Sequence, residues 1–250
     1  MASQPVYQFY SVLDDFDNRV WRRFQVGGNI TVARLGYILM TLYEMRASHL
    51  FSFSVSMADN FKKNMLKQYT EEQFEEEYKN VSLWNTKMRF QILDEDEEVF
   101  LEENEKLYDA AQEKMKRAFW SVGDVAAFEY DFGDGWCVTL ELESITQDGS
   151  ISGGDLPRVL EGAGYGIVED CGGVGGLDEL AKAFKAKEGE EYDNLRQWLG
   201  TDDFDIDSFA IDDMNFRLKK IPRIYMQAYE QRLMPTQRSI DLIERKYLEG

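Results

Sequence analysis

The chain has one histidine, His49, and two cysteines, Cys137 and Cys171. Two cysteines this far apart, without metal-ligand spacing, exclude a disulfide scaffold and fit a reducing compartment. No apolar run approaches the roughly 20 residues that a membrane span requires. The N-terminal MASQPVYQFYSVLDDFD lacks the charged-then-apolar pattern of a signal peptide. A soluble, cytoplasmic protein is therefore expected. Positive charge is scarce: 28 Lys and Arg stand against 47 Asp and Glu, a net charge of −19. Such a surface repels polyanions and disfavours general nucleic-acid binding unless charge is sharply segregated. Only four prolines, no internal repeat and no low-complexity linker interrupt the sequence.

What is present is globular. The 250 residues are 44% hydrophobic and 14% aromatic, enough for one large or two small domains with a real core. Charge is segregated along them. From Glu71 to Glu113 there are 15 acidic residues against four basic ones; from Arg217 to Lys246 there are eight basic against three acidic. Both runs read first as solvated helix faces. The alternative pairs the acidic run with a basic partner, or lays the basic tail across the molecule's own acidic insert.

Periodicity places the elements. VYQFYSVL and VWRRFQV, within residues 6–26, read as two strands joined by a polar turn. GGNIT breaks the second strand and offers Asn29 or Thr31 as a helix cap. Leu35, Ile38, Leu39 and Leu42 then form one apolar helical stripe. HLFSFSVS alternates as a strand. Residues 57–119 have helical composition, with SLWNTKMRFQI readable as either strand or helix. Phe128 and Tyr130, then Trp136, Val138, Leu140 and Leu142, suit a hairpin with one buried face. A glycine-rich run, Gly172 to Gly176, leads into a helix carrying Leu177, Leu180 and Phe184. TDDFDIDSF starts like a calcium loop but has Ser208 and Met214 at the diagnostic glycine and glutamate positions, so it reads as an acidic turn capping the next helix. The order predicts an α+β fold: an antiparallel sheet with packed helices, an acidic helical insert at about 57–119, and a helical C-terminal extension at 219–250 after a domain over 1–218.

Several motifs occur together. Trp21-Arg22-Arg23, His49-Leu50-Phe51-Ser-Phe53, Tyr130-Asp131-Phe132-Gly133-Asp134-Gly135-Trp136, Glu169-Asp170-Cys171-Gly172-Gly173, and Trp198-x-Gly200 with Phe204-Asp205 and Asn215-x-x-Leu218 follow in order. In this combination the chain resembles the plasmid pRiA4b ORF-three family over roughly residues 6–218. The resemblance implies an α+β fold, a mobile-element setting of plasmids and transposons, and no assigned reaction. Family members often carry histidines near the positions of Leu35 or Gly36 and of Cys137 or Val138. Those are absent here, which argues against histidine-dependent chemistry.

Asp131 and Asp134 are first turn residues, because Asp bonds its own backbone and glycine accepts positive φ. The sharper reading makes them the rim of a site with Glu169 and Asp170. Four carboxylates and His49 could then hold Mg²⁺, Mn²⁺ or Ca²⁺, with Asp131, Asp134 and Asp170 as ligands. A phosphate loop is excluded, since no Lys-Ser/Thr follows the glycines and the loop carries its own acids. Cys171, beside two acids, is expected to have a raised pKa and no nucleophilic role. Cys137 reads as packing. One of Arg22 and Arg23 is expected to turn inward and pair with the turn aspartates, and Trp136 to flank them. Three functions follow: a non-catalytic binding or accessory module with a protein or small-molecule partner, a metal-dependent phosphoester hydrolase, or a nucleic-acid-binding accessory protein using the basic C-terminal segment.

Overall fold

A computed structural model describes residues 4–78, 86–93, 99–147 and 149–248. The first part of the SLWNTKMRFQI segment and the dense acids at 94–98 lie outside the described residues, as does position 148 in the loop after the hairpin. The fold is α+β. Eight strands form one sheet: β1 (Val6–Leu13), β2 (Trp21–Gly27), β3 (Phe51–Ser56), β4 (Lys87–Gln91), β5 (Glu105–Asp109), β6 (Val125–Tyr130), β7 (Trp136–Thr146) and β8 (Arg158–Ala163). Their order is β5-β4-β3-β6-β7-β1-β2-β8.

Every pair is antiparallel except β4 with β5, which is parallel, so the sheet is mixed. A parallel pair needs a long return connection, and β4 ends at Gln91 while β5 begins only at Glu105. The 57–119 segment is thus only partly helical. Helices α2 (Met57–Met65) and α3 (Glu71–Tyr78) are followed by two strands that extend the sheet. Sequence pattern also missed β8 and the short helix α5 (Glu190–Leu199), because both carry few apolar residues.

One sheet face is apolar and holds the core. Phe9, Phe24, Phe53, Phe90, Phe128 and Leu140 are fully buried on it. Helix α1 (Val32–Leu42) packs there with every residue but Arg34 buried; the Thr31 hydroxyl caps it by accepting from the Arg34 N–H at 3.1 Å. Gly36 allows the close approach, since a Cβ there would lie 2.7 Å from the Phe51 ring. The C-terminal helices continue the layer. On α7 (Ile221–Gln231), the Tyr229 ring stacks on Tyr37 of α1 at 5.7 Å, and the Tyr37 hydroxyl donates to Glu230 at 3.1 Å. The basic tail therefore packs on α1, not across the acidic insert: burying the tyrosines decides its place, and its cations follow.

The family-type motifs now have structural roles. Asn215, on α6 (Ile211–Leu218), donates to the Val159 carbonyl and accepts from its N–H, at 3.1 and 2.9 Å, and so closes the free edge of β8. Phe204 packs edge-on against Tyr165 and against Phe184 of α4 (Gly173–Ala186). The acidic turn before α6 does not cap it: the cap residue is Ala210, with no side-chain bond, and Asp207 instead pairs with Arg19 at 3.0 Å.

Candidate functional site

The turn after β6 is built by its aspartate. Asp131 adopts a left-handed conformation, φ 54°, and its Oδ1 accepts from the Gly133 N–H at 3.1 Å and the Asp134 N–H at 3.5 Å. The Gly135 N–H returns to the Asp131 carbonyl at 2.7 Å. Aspartate tolerates this geometry because its short side chain replaces missing backbone partners. The turn is tied to the start of β3 by the Asp131 N–H, which donates to the Leu50 carbonyl at 3.0 Å.

The second acidic loop reaches this turn. A Cβ on Gly173, where φ is +69°, would sit 2.5 Å from the Asp134 carbonyl, so only glycine lets the two backbones meet. Glu169 is spent inside the junction. It accepts from the Arg46 N–H at 2.7 Å, the Ser48 hydroxyl at 2.7 Å and the Tyr130 hydroxyl at 2.5 Å. Burial, followed by the Glu169 charge, pushes the Tyr130 hydroxyl above its ordinary pKa, so it stays a donor. His49 lies just before β3, with Nε2 3.4 Å from Asp131 Oδ2 and 3.8 Å from Asp170 Oδ1. The Asp170 side chain is 76% exposed. Helix α7 holds the loop that carries His49: Tyr225 donates to the Met45 carbonyl at 2.6 Å and Tyr229 donates to the His49 carbonyl.

Of the candidate residues, His49, Asp131 and Asp170 converge on a rim in which Asp131 is largely buried and Asp170 faces outward, and Glu169 is held by Tyr130, Ser48 and the Arg46 N–H beside them. Asp134 does not join. One of its oxygens, Oδ2, is buried with no partner among the described residues, and its charge lies near Cys171. No group of three His, Cys, Asp or Glu among the described residues has the geometry to hold a metal ion. Of the expected ligand set, Asp131 and Asp170 approach one another at His49, whereas Asp134 stays apart with Oδ2 buried.

Arg22 is also displaced from its expected role. It turns inward, as expected, but donates to the backbone carbonyls of Leu42, Trp21, Ala163, Gly164 and Tyr165 and stacks 4.1 Å from the Phe209 ring centroid. Burial lowers its pKa to about 10. It braces the loop after β8 and meets no turn aspartate. Trp136 is fully buried in the core, and its Nε1 finds no partner among the described residues. Arg23 faces the opposite side of the sheet and pairs with Glu143 at 2.8 Å. Tyr130 was legible as a motif residue flanking the turn, whereas nothing in the sequence placed Ser48, Tyr225 or Tyr229 at the site; the last two, four residues apart in a helical segment, were the available signal.

No curated protein matches the chain. A solved structure, the crystal structure of a protein of unknown function, MM3350, from Methanosarcina mazei Go1, is similar with a TM-score of 0.63 and 23% identity, covering 84% of this chain and 98% of that one. That likeness concerns the fold. The model of the plasmid pRiA4b ORF-3-like protein family matches residues 5–213, which takes in the hairpin turn, the Glu169 loop and strand β8, and ends just before Asn215. The chain belongs to the plasmid pRiA4b ORF-3-like protein family.

Proposed function

We propose that this protein is a non-catalytic binding module whose rim of Asp131, Asp170 and His49 receives a cationic group of a protein partner. The observation that carries this reading is the division of labour among the motif acids. Glu169 and Asp131 Oδ1 are consumed by internal donors, whereas Asp131 Oδ2, on a side chain only 12% exposed, and the outward Asp170 both approach one imidazole. Burial, with Asp134 next, pushes the Cys171 thiol up to about 11, away from nucleophilic character.

The test is fluorescence anisotropy of a labelled nona-arginine peptide, titrated with the full chain. Asp131→Asn and Asp170→Asn each remove one rim charge; asparagine keeps the turn, because it makes the same local bonds and tolerates positive φ. Each should weaken binding about 3- to 10-fold, as expected for loss of one close charge partner. Glu72→Gln, an equal charge change on exposed α3, should change it less than about two-fold, since general surface charge is screened. Equal effects at all three positions would sink the rim assignment. A divalent ion retained in native mass spectra and lost in Asp131→Asn would favour the hydrolase reading instead.

A further inference from the structure

A concavity lies on the polar face of the sheet, opposite the core. It is a hollow of about 650 Å³ over β3, β4 and β6, walled by α2 and by residues 100–102. Its floor exists because the outward positions there are small: Ser54 and Ser56 of β3 and Ala127 of β6. Larger side chains at these alternating positions would fill the space.

Arg89 of β4 lines the hollow and is underused. Its side chain is 20% exposed, yet it makes no hydrogen bond among the described residues, and its Nε is buried without an acceptor. Its ion-pair partner, Glu105, with a side chain 7% exposed, stands 3.9 Å from Nη1, too far for a hydrogen bond, so the guanidinium charge is partnered while its donors stay free. The Phe132 ring lies 5.6 Å from the guanidinium carbon and limits where that group can turn. The other cation of the lining, Lys87, is held by Glu102 at 2.8 Å. Arginine in this state presents a planar fork of donors suited to one carboxylate.

The rest of the lining restricts what that carboxylate belongs to. Four acids, Asp59, Glu102, Glu105 and Glu129, outnumber the two bases, so a polyphosphate would be repelled. Asp59 and Glu129 have no ion-pair partner among the described residues; the Glu129 side chain accepts only a 3.4 Å bond from the Ser52 hydroxyl. Phe100, 88% exposed, and Leu101 add apolar surface. One cation with unspent hydrogen-bond donors, unpaired anions and an apolar wall complement a molecule that carries a carboxylate, an ammonium and an apolar body.

We propose that this hollow binds a zwitterion of the amino-acid class, with its carboxylate on Arg89, its ammonium toward Glu129 and Asp59, and its side chain against Phe100 and Leu101. The site is separate from the rim and does not depend on the rim's role.

The experiment is isothermal titration of the full chain with the proteinogenic L-amino acids and with tri-alanine. For each probe that binds, the N-acetyl derivative and methyl ester are titrated too. At least one probe should bind, and blocking either charge should weaken it at least about ten-fold, because the site's polar groups built to bond it then lose their partner. Arg89→Met and Ala127→Leu should both abolish binding; the second fills the floor while leaving Arg89 in place, and circular dichroism confirms its fold. Binding of tri-alanine alone would identify a peptide terminus as the source, and binding of free amino acids alone the monomer. Absence of binding by every probe at millimolar concentration, an ester that binds as well as its acid, or binding that survives Arg89→Met would overturn the proposal. So would an equal loss in Asp170→Asn, which would put the ligand at the rim.

Discussion

The Tyr130 hydroxyl donates to Glu169 Oε1 at 2.5 Å and joins the last residue of β6 to the loop that opens α4. The same hydroxyl accepts from the Ser48 N–H at 3.1 Å, so one phenol links three chain segments. The two family motifs that contain Tyr130 and Glu169 are thus halves of one junction. Their acids serve architecture before they serve any ligand.

Tyr130→Phe keeps the ring and removes this link. A hydrogen bond to a charged acceptor contributes about 1.5–3 kcal/mol, so urea denaturation should show a loss in that range. Glu169→Ala should cost at least as much, since it leaves three donors without their acceptor. A loss below about 0.5 kcal/mol for both would mark the junction as a solvated surface contact.

A second buried anchor ties the C-terminal segment to the rest of the fold. Glu44 accepts from Arg217 at 3.0 Å and from both terminal nitrogens of Arg245 at 2.5 and 2.6 Å, with its side chain 5% exposed. Buried ion pairs add little net stability, but removing one partner strands the others. Glu44→Ala should therefore cost about 3–5 kcal/mol in chemical denaturation. Limited proteolysis of that variant should release the segment after Arg217 sooner than in the native chain. Unchanged release would mean that Tyr225 and Tyr229 alone hold α7.

The cysteines give a pH test. Burial, then Asp14, pushes the Cys137 thiol up to about 12, and burial, then Asp134, pushes Cys171 up to about 11. At pH 8 both thiols are protonated in the folded chain, whereas an unperturbed thiol titrates near 8.5. Alkylation by iodoacetamide at pH 8 should thus be on the order of 10²-fold slower than in the urea-unfolded chain, because only the thiolate reacts. The unfolded thiols lose protons first as pH rises. The stability tied to these groups is full below about pH 8.5 and declines as pH climbs toward 11. Equal alkylation rates in the two states would refute the burial account.

Local pattern carried a large part of the fold. The alternation in residues 6–13, the Thr31 cap, the Leu35–Leu42 stripe and the hairpin about Asp131 all report short-range physics: pleat, helix period and turn chemistry. β8 and α5 escaped because little apolar periodicity marks them; β8 is recognised only by its pairing with β2 and by the Asn215 clasp. The parallel seat of β5 had no local mark either, since nothing in Glu105–Asp109 specifies strand direction.

The site divided in the same way. Asp131 as a turn residue and the raised pKa of the Cys171 thiol both follow from residue types and spacing, as does family membership. Tertiary structure decided which acids meet. Two loops about 40 residues apart converge because Gly173 admits the Asp134 carbonyl, and their acids are sorted by which donors lie nearest. Glu169 turns inward to Tyr130, Asp170 stays at the surface, and Arg22 goes to backbone carbonyls and not to carboxylates. A sequence states that a charge exists. Whether it is spent or free depends on partners brought from distant segments, and only the folded chain places them.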